Sequence, residues 1–356
     1  MSEEGYVQIE PRRLVRSKNM RFVACGKDFT CILDAEGQPY SMGLAWGFGR
    51  GAKEKILEPT ALNLKNVIDI SAGSSHCAAI DKEGKLYTWG WGGDWMKGGG
   101  HLGHGDISHW DTPTLVMSLS DNAVKCRRVS CGGVHTVILT EDFEVLTCGA
   151  AEYGRLGTGA TANALIPQTV ESLLDIDIVE VAAGHNHTLA LSSDGKVWVW
   201  GRNDQGQLGL SDSYMDIYSM EDFPRLLEAE ALSGSPIKKI AASRGRSAAI
   251  NCDGELFLWG SKLYHEPTRV DPSSLDYRKV IHVALGGNSR ASSISVITED
   301  GALWTFGDGG SRMLGRAARW KKPTPVRVPT FEGKKVLNIF MGPGQHMFAL
   351  VSVGEE

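Results

Sequence analysis

Seven copies of one sequence pattern run along the chain, and this repetition limits the folds open to it. Residues 70–90 read ISAGSSHCAAIDKEGKLYTWG, and residues 181–201 read VAAGHNHTLALSSDGKVWVWG. The copies begin near residues 23, 70, 129, 181, 240, 283 and 339. A pattern that returns every few tens of residues is the sequence signature of a propeller or a solenoid. The chain is therefore expected to build its core by repeating one structural unit.

Each copy alternates apolar and polar residues with a period of two, which indicates short β-strands rather than helices. Acid–glycine pairs supply the positive φ that a tight hairpin needs. These pairs are Glu36-Gly37, Glu83-Gly84, Asp194-Gly195, Asp253-Gly254 and Asp300-Gly301. In the third copy Phe143 takes the glycine position, so we expect a different turn there. A proline-led strand ends the unit, and four short antiparallel strands per unit predict a β-propeller.

The predicted fold is all-β: one domain, residues 1–356, forming a seven-bladed β-propeller with four-stranded blades. The seventh copy stops after the segment that reads FALVS, before its hairpin partner. Residues 5–9, Gly-Tyr-Val-Gln-Ile, imitate the strand that follows the acid–glycine pairs. We therefore expect this N-terminal strand to complete the last blade, because closure removes both open sheet edges.

Charge and composition exclude several classes of protein. The net charge of −5 argues against attraction of the whole surface to nucleic acid or anionic lipid. No apolar run is long enough to span a membrane, so we expect no membrane insertion. None of the seven cysteines forms a CxxC pair, which favours reduced, buried thiols. The acidic start lacks the features of a signal peptide or a mitochondrial presequence. We expect a cytoplasmic or nuclear protein, and a mitochondrial location without a standard presequence stays open.

The repeated pattern AxGxxHT…DGxVxxWGxxxxGQLG, clearest at residues 181–209, resembles the regulator of chromosome condensation family. The resemblance covers essentially the whole chain and implies a seven-bladed propeller with strand exchange between its ends. Members of this family include the nucleotide-exchange factor for the GTPase Ran, a plant UV-B photoreceptor, ubiquitin-ligase propellers, mitochondrial GTPase regulators and scaffold subunits. The resemblance thus implies the fold and leaves the function open.

The motif histidine recurs at one position of several copies, which indicates a structural role: a hydrogen bond between neighbouring strands. The histidines are His76, His135, His187 and His346, and the other copies carry Phe29, Arg246 and Arg290 there. In the Ran exchange factor an acidic residue precedes the motif histidine; here Asp28 is the acidic residue at that place, and it precedes Phe29. The photoreceptor's GWRHT motif is replaced by GHNHT at residues 184–188. The strand tryptophans are expected in the core: Trp89, Trp198, Trp200, Trp259 and Trp304.

No cofactor, metal or catalytic residue is predicted. His101, His104 and His109 lie in a glycine-rich segment without a nearby cysteine, so we interpret them as loop residues. The glycine-rich loops lack the GxxxxGK[ST] phosphate-binding pattern and are interpreted as turns.

Three insertions depart from the repeat average and are the predicted partner-binding regions. Residues 91–110 bring two tryptophans outside the repeat pattern, Trp95 and Trp110, residues 211–236 are acidic with a short helix expected over 225–232, and residues 309–329 are basic. We expect these insertions on one side of the disc, in blade-to-blade connections. The predicted partner-binding residues are Trp95, Trp110, Asp216, Glu221, Asp222, Arg312, Arg316, Arg319, Trp320, Lys321 and Lys322.

Taken together, the sequence predicts a non-catalytic protein-interaction scaffold or assembly subunit that binds protein partners through these loops. The alternative is a guanine-nucleotide exchange factor, whose partner would be a small GTPase. A weaker alternative is nucleic-acid contact through the basic loop 309–329.

Overall fold

The computed structural model describes residues 20–43, 56–94, 98–210, 219–262, 264–287, 292–307, 322–344 and 346–352. Within these ranges the chain forms six four-stranded antiparallel sheets, the blades, and a separate two-stranded hairpin from the seventh repeat. A second, very short hairpin lies in a loop of the second blade. The all-β propeller class predicted from the sequence is therefore confirmed.

Each blade takes its four strands from one repeat. The first contains β1 (Met20–Cys25), β2 (Phe29–Asp34), β3 (Pro39–Gly43) and β4 (Ile56–Ala61). The second contains β5 (Val67–Ala72), β6 (His76–Asp81), β7 (Leu86–Gly90) and, after the short hairpin of β8 (Gly93–Asp94) and β9 (Gly98–Gly99), β10 (Trp110–Leu115). The third contains β11 (Cys126–Cys131), β12 (His135–Thr140), β13 (Val145–Gly149) and β14 (Ala164–Thr169).

The remaining repeats follow the same order. The fourth blade contains β15 (Ile178–Ala183), β16 (His187–Ser192), β17 (Val197–Arg202) and β18 (Met220–Leu226). The fifth contains β19 (Ile237–Ala242), β20 (Arg246–Asn251), β21 (Leu256–Gly260) and β22 (Tyr264–Arg269). The sixth contains β23 (Val280–Gly287), β24 (Ser292–Thr298), β25 (Leu303–Gly307) and β26 (Lys322–Arg327). The seventh repeat contributes β27 (Val336–Met341) and β28 (Met347–Val351).

In the described parts of the chain, helical structure is confined to short connections. One α-helix, α1 (Met117–Asp121), follows the second blade. The 3₁₀ turns are Glu152–Gly154, Glu171–Leu173, Glu230–Leu232, Pro272–Leu275 and Pro329–Phe331. The helix expected over residues 225–232 is wrong: this stretch holds the end of β18 and a 3₁₀ turn, because the outer-strand pairing with β17 continues to Leu226.

The prediction of seven four-stranded blades is wrong, because the described residues form six such blades. The seventh repeat holds only two strands in its described part, and two strands make a hairpin rather than a blade. This hairpin lies between the sixth blade and the first: β27 packs on β23 and β24, and both of its strands pack on β1. The rings of Phe22 and Phe340 meet edge to face at this junction, with centroids 4.8 Å apart. The closing strand predicted for residues 5–9 lies outside the described residues.

The core lies between neighbouring blades. At one such layer Ile80 and Leu86 of the second blade pack against Ile138 and Leu146 of the third. Trp89, Trp200 and Trp259 are completely buried and Trp304 is nearly so, which confirms their predicted core role, whereas Trp198 is half-buried. Six cysteine side chains are buried as free thiols and Cys252 is exposed. Among the described helices, none is both long and apolar enough to cross a membrane.

The two faces of the ring differ in construction. Short turns between second and third strands, together with the connections from each blade to the next, form one side, the turn face. There the glycines of the acid–glycine pairs adopt φ of +78° to +84°. Phe143 adopts φ of +66° and donates its N–H to the Thr140 carbonyl, as the glycines do at their own turns. The expectation of a different turn in the third repeat is therefore wrong: the hairpin imposes the left-handed conformation on a bulky residue.

The opposite side, the loop face, carries the turns between first and second strands and the connections between third and fourth strands. Because the strands are antiparallel, both sets of connections emerge at the same end of each sheet. The described connections are 91–94 with 98–109, 150–163, 203–210 with 219, and 261–262. They join strands of one sheet, so the expected blade-to-blade placement of the insertions is wrong. The expectation that they emerge on one side agrees with this topology.

Candidate protein-interaction face

Hydrogen bonds hold the long connections of the loop face to the motif turns beneath them. The backbone N–H of Trp91 donates to the carbonyl of Ser75 over 2.9 Å. Ala150 donates to Val134 in the third blade at the same distance, and Arg202 donates to Asn186 in the fourth. The first residue of each connection is therefore anchored, and the following residues are presented from a fixed base.

Motif histidines connect neighbouring blades through side-chain hydroxyl groups. The pairs are His76 Nε2 with Thr136 Oγ1 at 3.0 Å, His135 Nε2 with Thr188 Oγ1 at 3.1 Å, and His187 Nε2 with Ser247 Oγ at 3.0 Å. His346 Nε2 and Thr30 Oγ1 make the same contact, at 3.2 Å, between the hairpin and the first blade. The predicted inter-strand role of these histidines is confirmed, and we call these contacts the histidine ladder.

The ladder fixes the protonation state of its histidines. Thr136 Oγ1 donates its hydrogen to the carbonyl oxygen of His101 over 2.6 Å, so it accepts from the Nε2–H of His76. Nδ1 of His76 is buried without a hydrogen-bond partner among the described residues. Burial holds the pKa of His76 and of His135 well below the ordinary value, and it lowers the pKa of His187 to about 3. A buried, neutral imidazole that forms a hydrogen bond through Nε2 alone suits a structural role rather than acid–base catalysis.

In the second to fourth repeats the glycine three residues before the histidine is required by the histidine ring. A Cβ on Gly132 would lie 2.2 Å from Cε1 of His135 and 2.6 Å from the carbonyl oxygen of Gly184. A Cβ on Gly184 would meet Cε1 of His187 at the same 2.2 Å. The spacing Gly-x-x-His is thus a packing requirement, in which the ring lies over a backbone that has no side chain.

The ladder is interrupted where the next blade offers no hydroxyl. The residue opposite Gly43 is Phe29, and the next blade carries Cys77 at the acceptor position. The residue opposite Gly260 is Arg246, and the acceptor position of the sixth blade is Ile294. In the sixth repeat Ser293 lies opposite Gly307, so the expectation that Arg290 occupies this position is wrong. The insertion before β24 shifts the register of that repeat.

First strands line a central cavity of about 640 Å³. Near the turn face its wall carries charged residues of alternating sign, one per blade: Asp69, Arg128, Glu180 and Lys239. The Asp69 carboxylate accepts the N–H of Val129 over 2.9 Å and lies 3.7 Å from the Arg128 guanidinium. Burial raises the pKa of Asp69 and of Glu180. These charged side chains therefore interact with neighbouring residues of the cavity wall.

A basic sector covers the loop face of the third to fifth blades. The guanidinium of Arg202 stacks on the Tyr153 ring at 4.5 Å, and its Nη2 donates to the Asp204 carboxylate over 2.7 Å. Burial, together with the nearby charges of Arg244, Arg155 and Arg202, lowers the pKa of His185 to about 4. The field at the mouth of the cavity is therefore positive on this side.

Three arginines of this sector, Arg155, Arg244 and Arg246, differ in their surroundings. Arg155 is buried and donates to the carbonyl of Glu152 over 2.6 Å and to its carboxylate over 3.2 Å. Arg244 is exposed, while Arg246 is 9% exposed and its guanidinium makes no hydrogen bond or ion pair with the described part of the chain. Burial lowers the pKa of Arg246, and the Tyr264 phenol opposes that effect. Arg155 is thus a structural residue, and Arg244 and Arg246 have charge that the described chain does not neutralise.

The predicted partner-binding residues fall into two groups. Those outside the described residues are Trp95, Asp216, Arg312, Arg316, Arg319, Trp320 and Lys321. Of Lys322, only the backbone is described, opposite Gly307 at the start of β26. The structure does not bring the remaining three together, because Trp110 lies in the second blade and Glu221 and Asp222 in the fourth.

Each of those three residues has local contacts. The Trp110 ring packs 5.1 Å from that of His104, and its Nε1 is buried with no hydrogen-bond partner among the described residues. The Glu221 carboxylate pairs with Arg225 over 3.1 Å in β18. The Asp222 carbonyl accepts the N–H of Gly159 over 3.0 Å. Their role in binding stays a prediction.

The histidines of the second-blade loop serve its internal structure. His101 donates from Nε2 to the Trp91 carbonyl over 2.6 Å. His104 Nε2 contacts Thr88 Oγ1 over 2.9 Å, and Nδ1 of His109 accepts the N–H of Gly92 over 3.0 Å. Across the described ranges, no group of three His, Cys, Asp or Glu side chains could hold a metal ion.

Sequence reasoning did not single out Tyr153, Arg202, Arg244 or Arg246 as a surface. The signal was present in the fifth repeat, where Ser243 and Arg246 stand at the motif glycine and histidine positions. The fifth repeat lacks both the motif glycine and the motif histidine, so its turn packs differently from the turns of the other repeats. This difference marks the turn as a candidate site.

The sequence is similar to parts of two larger proteins. It is 30% identical to the human E3 ubiquitin-protein ligase HERC2 over 337 residues, which cover 89% of this chain but 7% of that protein. It is 32% identical to the Ultraviolet-B receptor UVR8 of Arabidopsis thaliana over 303 residues, 82% of this chain and 64% of that protein. The chain thus spans less than two thirds of the length of either relative.

Solved structures share the fold. Human WBSCR16 superimposes with a TM-score of 0.82 at 22% identity, covering 98% of this chain and 90% of that chain. Prp20p from Saccharomyces cerevisiae, whose structure was described with its binding properties to Gsp1p and histones, gives 0.78 at 20% identity, covering 93% of this chain and 82% of that chain.

Family descriptions agree with the repeated pattern. Matches to the "Regulator of chromosome condensation (RCC1) repeat" extend over residues 83–139, 144–191, 194–250 and 300–350, more than half of the chain, and a second description of the same repeat matches 67–94 and 178–207. The glycine–histidine turns, the ladder between blades and these matches lead to one conclusion: the chain belongs to the regulator of chromosome condensation repeat family.

Proposed function

We propose that this propeller is a non-catalytic interaction scaffold or assembly subunit that binds protein partners on its loop face. One observation carries the proposal: the third-to-fourth strand connections, which vary most between repeats, emerge together on that face. The opposite face carries the short hairpin turns, which are of one kind, and the connections from each blade to the next, which vary less in length. Binding residues on repeat scaffolds concentrate where the repeats differ, because the regular positions are already used for packing.

The neutral histidines and the positively charged surface support binding rather than catalysis. The buried histidines of the ladder are neutral, and each is engaged through its Nε2 with a hydroxyl group. The positive sector around Arg202 and Arg244 is open on the loop face. A surface of fixed charges over a rigid base favours recognition, because little order is lost when a partner binds.

Site-specific photocrosslinking tests the proposal. A photoreactive amino acid is placed at Asp106 or Thr161, which are exposed on the loop face, or at Lys82 or Glu141, which are exposed on the turn face. We expect discrete crosslinked protein partners from the first pair in cell extract and at least fivefold less from the second. Crosslinks confined to Lys82 and Glu141 would contradict the proposal, and the two turn-face positions serve as matched controls.

A second candidate is guanine-nucleotide exchange on a small GTPase. The observation that favours it is the position of Asp28, an acidic residue on the loop face whose charge acts on His346 and opposes the lowering of its pKa by burial. The test is nucleotide release from a panel of purified small GTPases. Faster release from one GTPase, lost on changing Asp28→Asn, would support exchange, whereas no acceleration across the panel favours the scaffold.

A further inference from the structure

We propose that Arg246, together with Arg244, forms a carboxylate-binding notch on the loop face of the fifth blade, and that it receives a Glu- or Asp-rich segment of a partner protein. The proposal rests on the proposed scaffold function and names the chemistry of the partner. We call Arg244, Arg246 and the flanking Tyr264 the arginine notch.

Arg246 is a buried cation whose charge the described chain leaves without a counterpart. Its side chain is 9% exposed, and it makes no hydrogen bond or ion pair with the described residues. In the second to fourth blades the same position carries a neutral histidine bonded to a hydroxyl. An unpaired buried charge is costly, so its presence indicates a partner that supplies the opposite charge.

The described residues of the sixth blade do not supply that partner. The residue that corresponds to Thr136 and Thr188 of the ladder is Ile294, which is apolar and buried. Tyr264 lies opposite Gly260, which is itself opposite Arg246, and it is 39% exposed. The notch therefore has a phenol at its rim that can donate a hydrogen bond to an incoming carboxylate.

A short connection leaves the notch uncovered. In the second blade the third-to-fourth connection bends over the motif histidine, as shown by the His101 ring at 4.5 Å from that of His76. In the fourth blade Gln207 takes this place, and its carbonyl accepts from Ser247 and Trp259. In the fifth blade only residues 261–263 separate β21 from β22, and the two described ones, Ser261 and Lys262, donate their N–H groups to the carbonyls of Gly245 and Gln205.

Neighbouring charges favour an acidic peptide over a nucleic acid. Arg244 is exposed and lies two residues before Arg246 in the chain. The charges of Arg244 and Arg202 both lower the pKa of His185, so positive charge is present on the loop face from the fourth blade to the fifth. The sector also contains the carboxylates of Glu152 and Asp204, each within 3.2 Å of an arginine. A polyphosphate backbone would meet these carboxylates along its length, whereas spaced glutamates can pair with separate guanidinium groups in bidentate geometry.

The direct test uses two fluorescein-labelled peptides of equal length, one of alternating Glu and Gly and one of alternating Gln and Gly. We expect the Glu peptide to bind the full chain and the Gln peptide to bind at least tenfold more weakly. Arg246→Met should lower affinity for the Glu peptide at least tenfold and Arg244→Ala about threefold. Arg269→Ala is the matched control, because Arg269 is an outer-strand residue of the same blade paired with Glu255. It should leave affinity unchanged.

Thermal melting separates binding from a structural role. Without peptide, Arg246→Met should melt at the same temperature as the unaltered chain or higher, because a buried unpaired charge is replaced by an apolar side chain of similar volume. A lower melting temperature would mean that Arg246 supports the fold and would contradict the notch. Equal binding of both peptides, or tighter binding of single-stranded oligothymidine than of the Glu peptide, would also overturn it.

Crosslinking distinguishes failure of the notch from failure of the scaffold. Partner capture at Asp106 or Thr161 that is retained in Arg246→Met, with no binding of the Glu peptide, would reject the notch and keep the scaffold. Crosslinks found only on the turn face would reject the scaffold proposal and, with it, the notch as a partner site.

Discussion

The junction between the third and fourth blades and the junction between the fifth and sixth are built at the same place with different residues. At the first, His135 bonds Thr188 and its ring covers Gly132. At the second, Arg246 takes the histidine position and Ile294 the hydroxyl position. The glycine is replaced by Ser243. Histidine, hydroxyl and glycine therefore behave as one unit, which is present or absent as a whole at these two junctions.

The first blade shows which part of the unit requires the glycine. Phe29 replaces histidine and faces the blade that carries Cys77, so the hydrogen bond is gone. Gly26 is nevertheless retained, and a Cβ there would lie 2.3 Å from Cζ of the Phe29 ring. Any aromatic ring at this position thus requires a glycine beneath it, whereas the flexible arginine of the fifth blade tolerates serine.

The largest expected effect is acid destabilisation of the junctions that contain histidine. Above about pH 6.5 a histidine is neutral in both folded and unfolded chains, so stability does not depend on it. Below that pH the unfolded chain takes up protons that the folded one does not, because burial lowers the pKa of His76, His135 and His187. Each of these histidines should lower the free energy of unfolding by about 1.4 kcal/mol per pH unit, so the three together should lower it by roughly 4 kcal/mol per pH unit.

Urea unfolding at pH 7.5, 6 and 5 measures this slope. His187→Asn removes one titrating group and should reduce the slope by about 1.4 kcal/mol per pH unit. Arg246 occupies the same position in the fifth blade but does not titrate in this range, so Arg246→Met should leave the slope as it is. A slope that is the same with and without His187 would contradict the buried, neutral ladder.

The second prediction concerns the glycine under the ring. Gly132→Ala should destabilise the fold by about 3 kcal/mol, because the new Cβ meets both the His135 ring and the Gly184 carbonyl oxygen. The matched control is Ser243→Ala, at the equivalent position of the fifth blade, which should change the free energy of unfolding by less than about 1 kcal/mol. Equal effects of the two substitutions in urea unfolding would mean that the two turns do not differ in packing.

Local features of each repeat were predictable from sequence because they depend on neighbouring residues. The strand period, the acid–glycine turns, the structural histidines and the buried strand tryptophans all follow from residues within one copy. Phe143 shows the limit of this reasoning, since the hairpin imposed φ of +66° on a residue that the turn chemistry disfavours.

Features that depend on contacts between two repeats were harder to predict from the sequence. Arg246 lacks the hydroxyl partner of the other junctions because the next blade carries Ile294 at that position. The register of β24 was shifted by an insertion that displaced the motif position from Arg290 to Ser293. The blade count was wrong because it required a strand from outside the last repeat. Antiparallel topology placed the long connections on one face, but their contacts depend on which residues of the adjoining blade they meet.

The smallest expected effect is also the sharpest test of the comparison, because it transfers the histidine ladder to the junction that lacks it. Arg246→His alone should leave an imidazole without a partner beside Ile294, and Ile294→Thr alone should bury a hydroxyl without one. The double variant places a ring nitrogen and a hydroxyl at the positions that lie 3.0–3.1 Å apart at the other junctions. A double-mutant cycle in urea at pH 7.5 should therefore give a favourable coupling of about 1 kcal/mol. Zero coupling would mean that the ladder needs more than its two side chains; the missing component would be the loop carbonyl that accepts the hydroxyl hydrogen in the second to fourth blades.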